Sequence, residues 1–93
     1  MKKQITWNEE KNQLLQIQRG ISFEMIEEKI VQKDILDIRD HPNKVKYPNQ
    51  KILIMELNGY IYFVPFVEDE YKYFLKSIIP SRKLNKEFKK DKS

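Results

Sequence analysis

Histidine is the side chain whose protonation changes nearest neutral pH, and this chain has one, His41, in the stretch "DHPNKVKYPNQ" beside Lys44, Lys46 and Tyr47. Cutting a phosphodiester without a metal takes a group that moves protons at the reacting oxygens, with fixed cations beside the charge that builds on phosphorus. His41 suits the first task. Arg82 and Lys83 suit the second: they follow Pro80-Ser81 at the start of a predicted helix, where unpaired N–H groups add to the pull on an anion. Arg82 also brings a planar fork that grips phosphate through two hydrogen bonds. Tyr60 and Tyr62 alternate with Ile61 and Phe63, so the two tyrosines share one face of a strand and offer rings on which bases can stack. Lys11, one turn after Trp7, and Lys86 on the last helix complete a set of candidate phosphate contacts. Each has a plain structural alternative: His41 as a turn cap, Lys11 lying over the Trp7 indole, the tyrosines as packing, the terminal lysines as solvated charge.

The distribution of charge narrows the partners. Net charge is +4, and residues 1–80 carry 12 basic and 12 acidic side chains, so the six basic and two acidic residues that follow hold the whole imbalance. A local cationic excess favours phosphate-rich or acidic partners. There is no cysteine, which removes disulfides, thiolate metal sites and a cysteine nucleophile. With one histidine, only carboxylates remain as metal ligands, and Glu9-Glu10 and Glu27-Glu28 are sequence neighbours that diverge on a helix; no metal or other cofactor is expected. No apolar run approaches the roughly 20 residues of a membrane-spanning helix, nor does the basic start lead into a secretory segment. The expectation is a cytoplasmic protein that makes no use of a membrane.

These side chains need a scaffold, and 93 residues suffice for one domain around one core. A short strand over Gln4 to Trp7 is expected, followed by a helix with Thr6 and Glu9 at capping-box spacing and Leu14, Leu15, Ile17 and Ile21 as its apolar residues. Gly20 stops that helix. Ser22 caps a second one, with Phe23, Ile26 and Ile30 inward and Glu27, Glu28 and Lys29 outward. "ILDI", Ile35 to Ile38, reads as a strand. "QKILIMEL" and "YIYFVPFVE" read as a hairpin around Asn58-Gly59, because both central residues of a type I′ turn need positive φ. Pro65 marks an edge, a bulge or a bend. A last strand runs from about Tyr73 to Ile79, and Ser81 caps a helix docked by Leu84 and Phe88, with about residues 89–93 as a tail. The order is strand, two helices, four strands, helix: an α+β domain with the two helices on one face of a mainly antiparallel sheet and the other face free.

The segments "ITWNEEKN", "RGISFE" and "IIPSRK", in this order and spacing, resemble the BrnT family of bacterial toxins. Trp7, Lys11, Gly20, Ser22, Phe23 and Glu24 fill its opening pattern, and Ile78, Ile79, Pro80, Ser81, Arg82 and Lys83 its closing one. Asn8, Leu15 and Arg19 depart from it. The resemblance covers nearly the whole chain and implies a RelE-like fold. It also implies a type II toxin–antitoxin toxin, a metal-independent endoribonuclease that cleaves mRNA and inhibits translation. A cognate DNA-binding antitoxin would neutralise it, as two toxins bridged by an antitoxin dimer that alone touches operator DNA. It gives Arg82, with Lys83, a place beside His41 in catalysis, and leaves Lys11, Lys44, Lys46, Tyr60, Tyr62 and Lys86 to bind RNA. The reading without the resemblance is a non-catalytic nucleic-acid or protein binding module on the same basic surface.

Overall fold

The computed structural model describes residues 3–89. It is an α+β fold with three helices and one mixed, mostly antiparallel sheet of six strands. The elements are β1 (Gln4–Trp7), α1 (Glu9–Arg19), α2 (Phe23–Val31), β2 (Asp37–Asp40), β3 (Lys51–Leu57), β4 (Tyr60–Glu68), β5 (Lys72–Leu75), β6 (Ile79–Pro80) and α3 (Arg82–Lys89). Spatially the strands run β1-β5-β4-β3-β2, with β6 paired to β4 beyond the end of β5. Among the described residues only the β1–β5 pairing is parallel.

The hairpin of β3 and β4 is the centre of the sheet, and its turn forms as its residues demand. Asn58 and Gly59 have φ of +53° and +84°, the left-handed pair that a two-residue I′ turn requires. Register then places Ile54 opposite Phe63 and Met55 opposite Tyr62. Successive residues of β3 alternate between faces, yet Ile52, Leu53, Ile54 and Met55 are all buried. Both faces must therefore be covered.

Two clusters do the covering. On one face Leu53, Met55 and Leu57 of β3 and Val64 and Phe66 of β4 pack with Leu15, Ile21, Phe23 and Ile26 of the helical hairpin. On the other, Ile52, Ile54 and Ile61 pack under Leu84 and Phe88 of α3. The expectation of a free second face is corrected: α3 lies across it, because Leu84 and Phe88 recur one turn apart and need apolar cover. Ser81 starts that helix by accepting the Leu84 N–H at 3.1 Å, and Asn85 Oδ1 takes the Ile61 N–H at 3.2 Å.

The helical hairpin follows its residues closely, with one exchange of roles. Asn8, not Thr6, caps α1, its Oδ1 accepting the Lys11 N–H at 3.0 Å; the Thr6 hydroxyl is spent on the Tyr73 carbonyl in the neighbouring strand. Gly20, at φ +68°, ends α1 and its N–H returns to the Gln16 carbonyl; Ser22 caps α2. The inward face of α1 is Asn12 and Leu15, while Leu14 and Ile17 are 54% and 81% exposed. Apolar spacing misled here because the buried position one turn before Leu15 is polar. Asn12 Oδ1 accepts the Phe23 N–H at 2.7 Å and its Nδ2 donates to Glu24 at 2.8 Å, so one amide ties the two helices at their junction. That bond holds the Glu24 carboxyl below its ordinary range.

Two strands differ from expectation. The strand expected at Ile35–Ile38 forms two residues later, at Asp37–Asp40, with Leu36 giving its N–H to Ile54 just before it. The expected strand from Tyr73 to Ile79 divides into β5 and β6, making five strands after the helices instead of four. The division matches Pro65: β4 pairs with β6 at Tyr62 and Phe63 and with β5 from Phe66 onward, and of the two residues between the ladders, Val64 and Pro65, the proline has no N–H to give. At the other end of the chain, Lys89 is helical, and residues 90–93 of the expected tail lie outside the described part. Among the described residues no helix is long and apolar enough to cross a membrane.

Candidate functional site

The division of β5 from β6 opens the feature around which several candidate residues gather. Between the two strands, Lys76, Ser77 and Ile78 leave the ladder; Lys76 gives its N–H to the Pro65 carbonyl at 2.7 Å, and Arg19 Nη1 holds the Ile78 carbonyl at 3.1 Å. Beside this break lies a cleft of about 430 Å³ on the α3 side of the sheet. Phe63, Pro65 and Ile79 line it with apolar surface, Lys76 and Ser77 border it from the strand break, and Lys11 reaches it from the first turn of α1. His41, Tyr47 and Gln50 close it from the loop between β2 and β3.

That loop is folded on itself through local bonds. The His41 N–H donates to the Gln50 carbonyl at 3.0 Å, closing the loop at its base, and Asn43 Oδ1 accepts the Lys46 N–H at 3.1 Å. The His41 ring stands 4.5 Å from the Tyr47 ring, tilted by 42°. His41 Nδ1 accepts the Asn43 N–H at 3.0 Å. An acceptor nitrogen carries no proton, so this bond assigns the neutral ring's proton to Nε2 and makes that edge a donor.

Of the residues nominated from sequence, His41 and Lys11 meet at this cleft. The others lie elsewhere. Lys44 is paired with Asp40 at 3.1 Å, and the Lys46 ammonium lies over the Tyr47 ring at 5.3 Å; both are exposed on the loop. Tyr60 and Tyr62 do share a face, but it is the opposite one, where Tyr62 packs against the larger core cluster and meets Tyr60 edge to face at 6.0 Å. Arg82 and Lys83 are exposed on the first turn of α3, three and four residues beyond Ile79 at the cleft wall, and neither lines the cleft. Lys83 and Lys86 instead border a shallow depression on the outer side of α3.

Two contributors escaped the sequence reading. Lys76 and Ser77 are a polar pair inside the apolar run "YFLKSIIP", and that interruption was the available signal. Arg39 escaped as well. Its guanidinium meets Asp37 at 2.9 Å and forks onto Glu87 at 2.6 and 3.3 Å, with Phe88 beneath it at 5.4 Å, so it bolts β2 to α3. The contact with Arg39 keeps both carboxyls below their ordinary range, and Glu87 with Asp37 raises the guanidinium further above its own. At the far end of α3, Lys89 pairs with Glu56 at 3.0 Å and also bonds the Gly59 carbonyl.

The donor set bears on metal chemistry. Among the described residues no three histidine, aspartate or glutamate side chains stand together as a metal ion would need. The cleft is instead lined by His41, Lys11, Lys76, Tyr47 and Ser77 around the apolar Phe63, Pro65 and Ile79, a set of residues that suits an anion carrying a flat apolar group. Comparison with protein-family models, with curated proteins and with solved structures found no match to this chain.

Proposed function

We propose that this chain is a metal-independent endoribonuclease of the RelE-like toxin kind, acting on mRNA and silenced by a cognate antitoxin. The observation that carries the reading is the meeting of His41 with Lys11 and Lys76 at one open cleft. The BrnT-like segments around Trp7–Glu24 and Ile78–Lys83 support it from the sequence side. The order of elements, with the helical hairpin on one sheet face and the last helix on the other, is compatible with a RelE-like topology.

In this reading the RNA 2′-hydroxyl attacks the adjacent phosphorus. The 2′-oxygen–phosphorus bond forms, the phosphorus–5′-oxygen bond breaks, and a 2′,3′-cyclic phosphate and a 5′-hydroxyl result. With Nδ1 taken by the Asn43 N–H, the neutral His41 ring offers Nε2–H as a hydrogen-bond donor to the charge developing on the leaving 5′-oxygen, which takes its proton from water while the 2′-hydroxyl proton passes to solvent. Lys11 and Lys76 offset the phosphorane charge. Arg82, Lys83 and Lys86 hold flanking phosphates along α3 or meet the acidic antitoxin; two such toxins bridged by an antitoxin dimer is the assembly the resemblance implies.

A non-catalytic nucleic-acid binding module is the second reading, favoured by the placing of Arg82 and Lys83 outside the cleft. One experiment separates the two. Purified chain is incubated with a defined RNA, with and without EDTA and with and without ribosomes, beside His41→Ala and an Arg82→Ala, Lys83→Ala variant. Cleavage indifferent to EDTA, ending in cyclic phosphate and falling about 10²-fold or more in His41→Ala, is the expected result. RNA left intact in every arm by folded protein that still binds it establishes the module instead.

A further inference from the structure

The floor of the cleft and its charges lie at different places, and that separation defines what can occupy it. Phe63 is half-buried: it packs against the Ile52, Ile54, Ile61 and Leu84 cluster and also borders the cleft. Pro65 beside it is buried in the sheet and Ile79 is half-buried, so the floor is rigid and apolar. Lys11 comes from α1 and Lys76 from the strand break, so the two lysines border the cleft from separate elements, and the Lys76 ammonium stands 5.5 Å from the centre of the neighbouring Phe74 ring. Both are exposed, and neither is among the ion pairs of the described residues.

We infer that this cleft seats one unpaired nucleotide of a single strand, with its base on the Phe63–Pro65–Ile79 floor and its phosphate held by Lys11 and Lys76. An apolar floor takes the flat face of a base without reading its sequence, and cations at the border take the charge that every nucleotide carries. A volume of about 430 Å³ admits a nucleotide. A base still paired in a duplex cannot lay its face on the floor, because both of its faces are stacked on neighbouring pairs. The chain therefore discriminates by strandedness rather than by base identity. This deepens the nuclease reading by naming its substrate class, and rests on it only for the consequence that cleavage falls in unpaired RNA.

Binding without cleavage is the test, so that failure of the nuclease reading leaves this one standing or falling by itself. Fluorescence anisotropy is measured with the full chain and a 2′-deoxy 12-mer, which lacks the attacking hydroxyl, as a single strand and annealed to its complement. The single strand is expected to bind about tenfold or more tightly than the duplex, in a band of stacking contributions known for aromatic platforms. Lys11→Ala and Lys76→Ala, both surface changes, are each expected to lower the magnitude of the logarithmic salt slope by about 0.7. Phe63→Leu, which keeps an apolar side chain over the α3 cluster but removes the flat ring, is expected to erase most of the preference for single strands, with circular dichroism confirming the fold. Equal affinity for both forms, or lysine variants indistinguishable from the parent, overturns the inference. Binding that moves instead with Arg82, Lys83 and Lys86 assigns the nucleic acid to α3 and also overturns it.

Discussion

Arg39 joins segments 48 positions apart in sequence, and its partners are all at the surface. Surface ion pairs contribute little singly, but a guanidinium forked onto one carboxylate, bonded to a second and resting on a ring is the arrangement in which geometry helps. The pH dependence has a definite sign. Glu87 and Asp37 have folded-state pKa values held down by Arg39, so their stabilising contribution is present above the unfolded carboxylate value of about 4 and is lost as the pH falls from there through the lowered folded-state values. Replacing Arg39 by Met keeps the stem over Phe88 and removes the charge. The melting temperature of the parent should exceed that of Arg39→Met at about pH 7, with the gap shrinking towards about pH 3; an equal gap at both would show that the carboxylates contribute nothing. Arg39→Lys should recover little, since an ammonium cannot fork onto Glu87.

The element most exposed to a single backbone change is the β3–β4 turn. A Cβ added at Gly59 would meet no atom within 4 Å, so crowding is no obstacle. Its φ of +84° is the obstacle, and a left-handed conformation costs an L-residue about 1–2 kcal/mol. Gly59→Ala should lower the unfolding free energy by about that amount, read from urea denaturation with an unchanged slope. The Gly59 carbonyl also accepts from Lys89 at the end of α3, so the turn and the last helix are joined. Loss of helical signal from α3 before the main transition, in that variant alone, would show that the turn's conformation holds the helix in place.

At the scale of the whole molecule the defining property is a sheet buried on both sides by unlike covers. Ile54 and Met55 are adjacent and both fully buried, one in each cluster. Truncating either to Ala should cost about 2–5 kcal/mol if both covers are packed as cores are. A cost well under that for Ile54→Ala, with Met55→Ala in range, would mean that α3 is a loose cover and the second cluster a minor one. One unfolding transition for both variants is expected, because the two clusters share β3 and β4 and cannot come apart separately.

Local physics was legible in the residues, and long-range placement was not. The I′ turn at Asn58-Gly59, the stop at Gly20, the caps at Ser22 and Ser81, and the α+β class all follow from side chains acting within a few positions of themselves, where φ preference and short hydrogen bonds decide. Thr6 as a cap and Leu14 and Ile17 as core failed because distant groups outbid local pattern: the Tyr73 carbonyl took the hydroxyl, and Asn12 took the buried place. His41 and Lys11 could be nominated from residue type, but what they face could not be. Lys76 and Ser77 join them where Pro65, with no N–H to give, lies between the β5 and β6 ladders, and the broken strand brings a polar pair to the cleft beside the β2–β3 loop. Residue chemistry is carried by the sequence itself, whereas proximity among residues 11, 41 and 76 exists only once the sheet has brought three separate elements to one side.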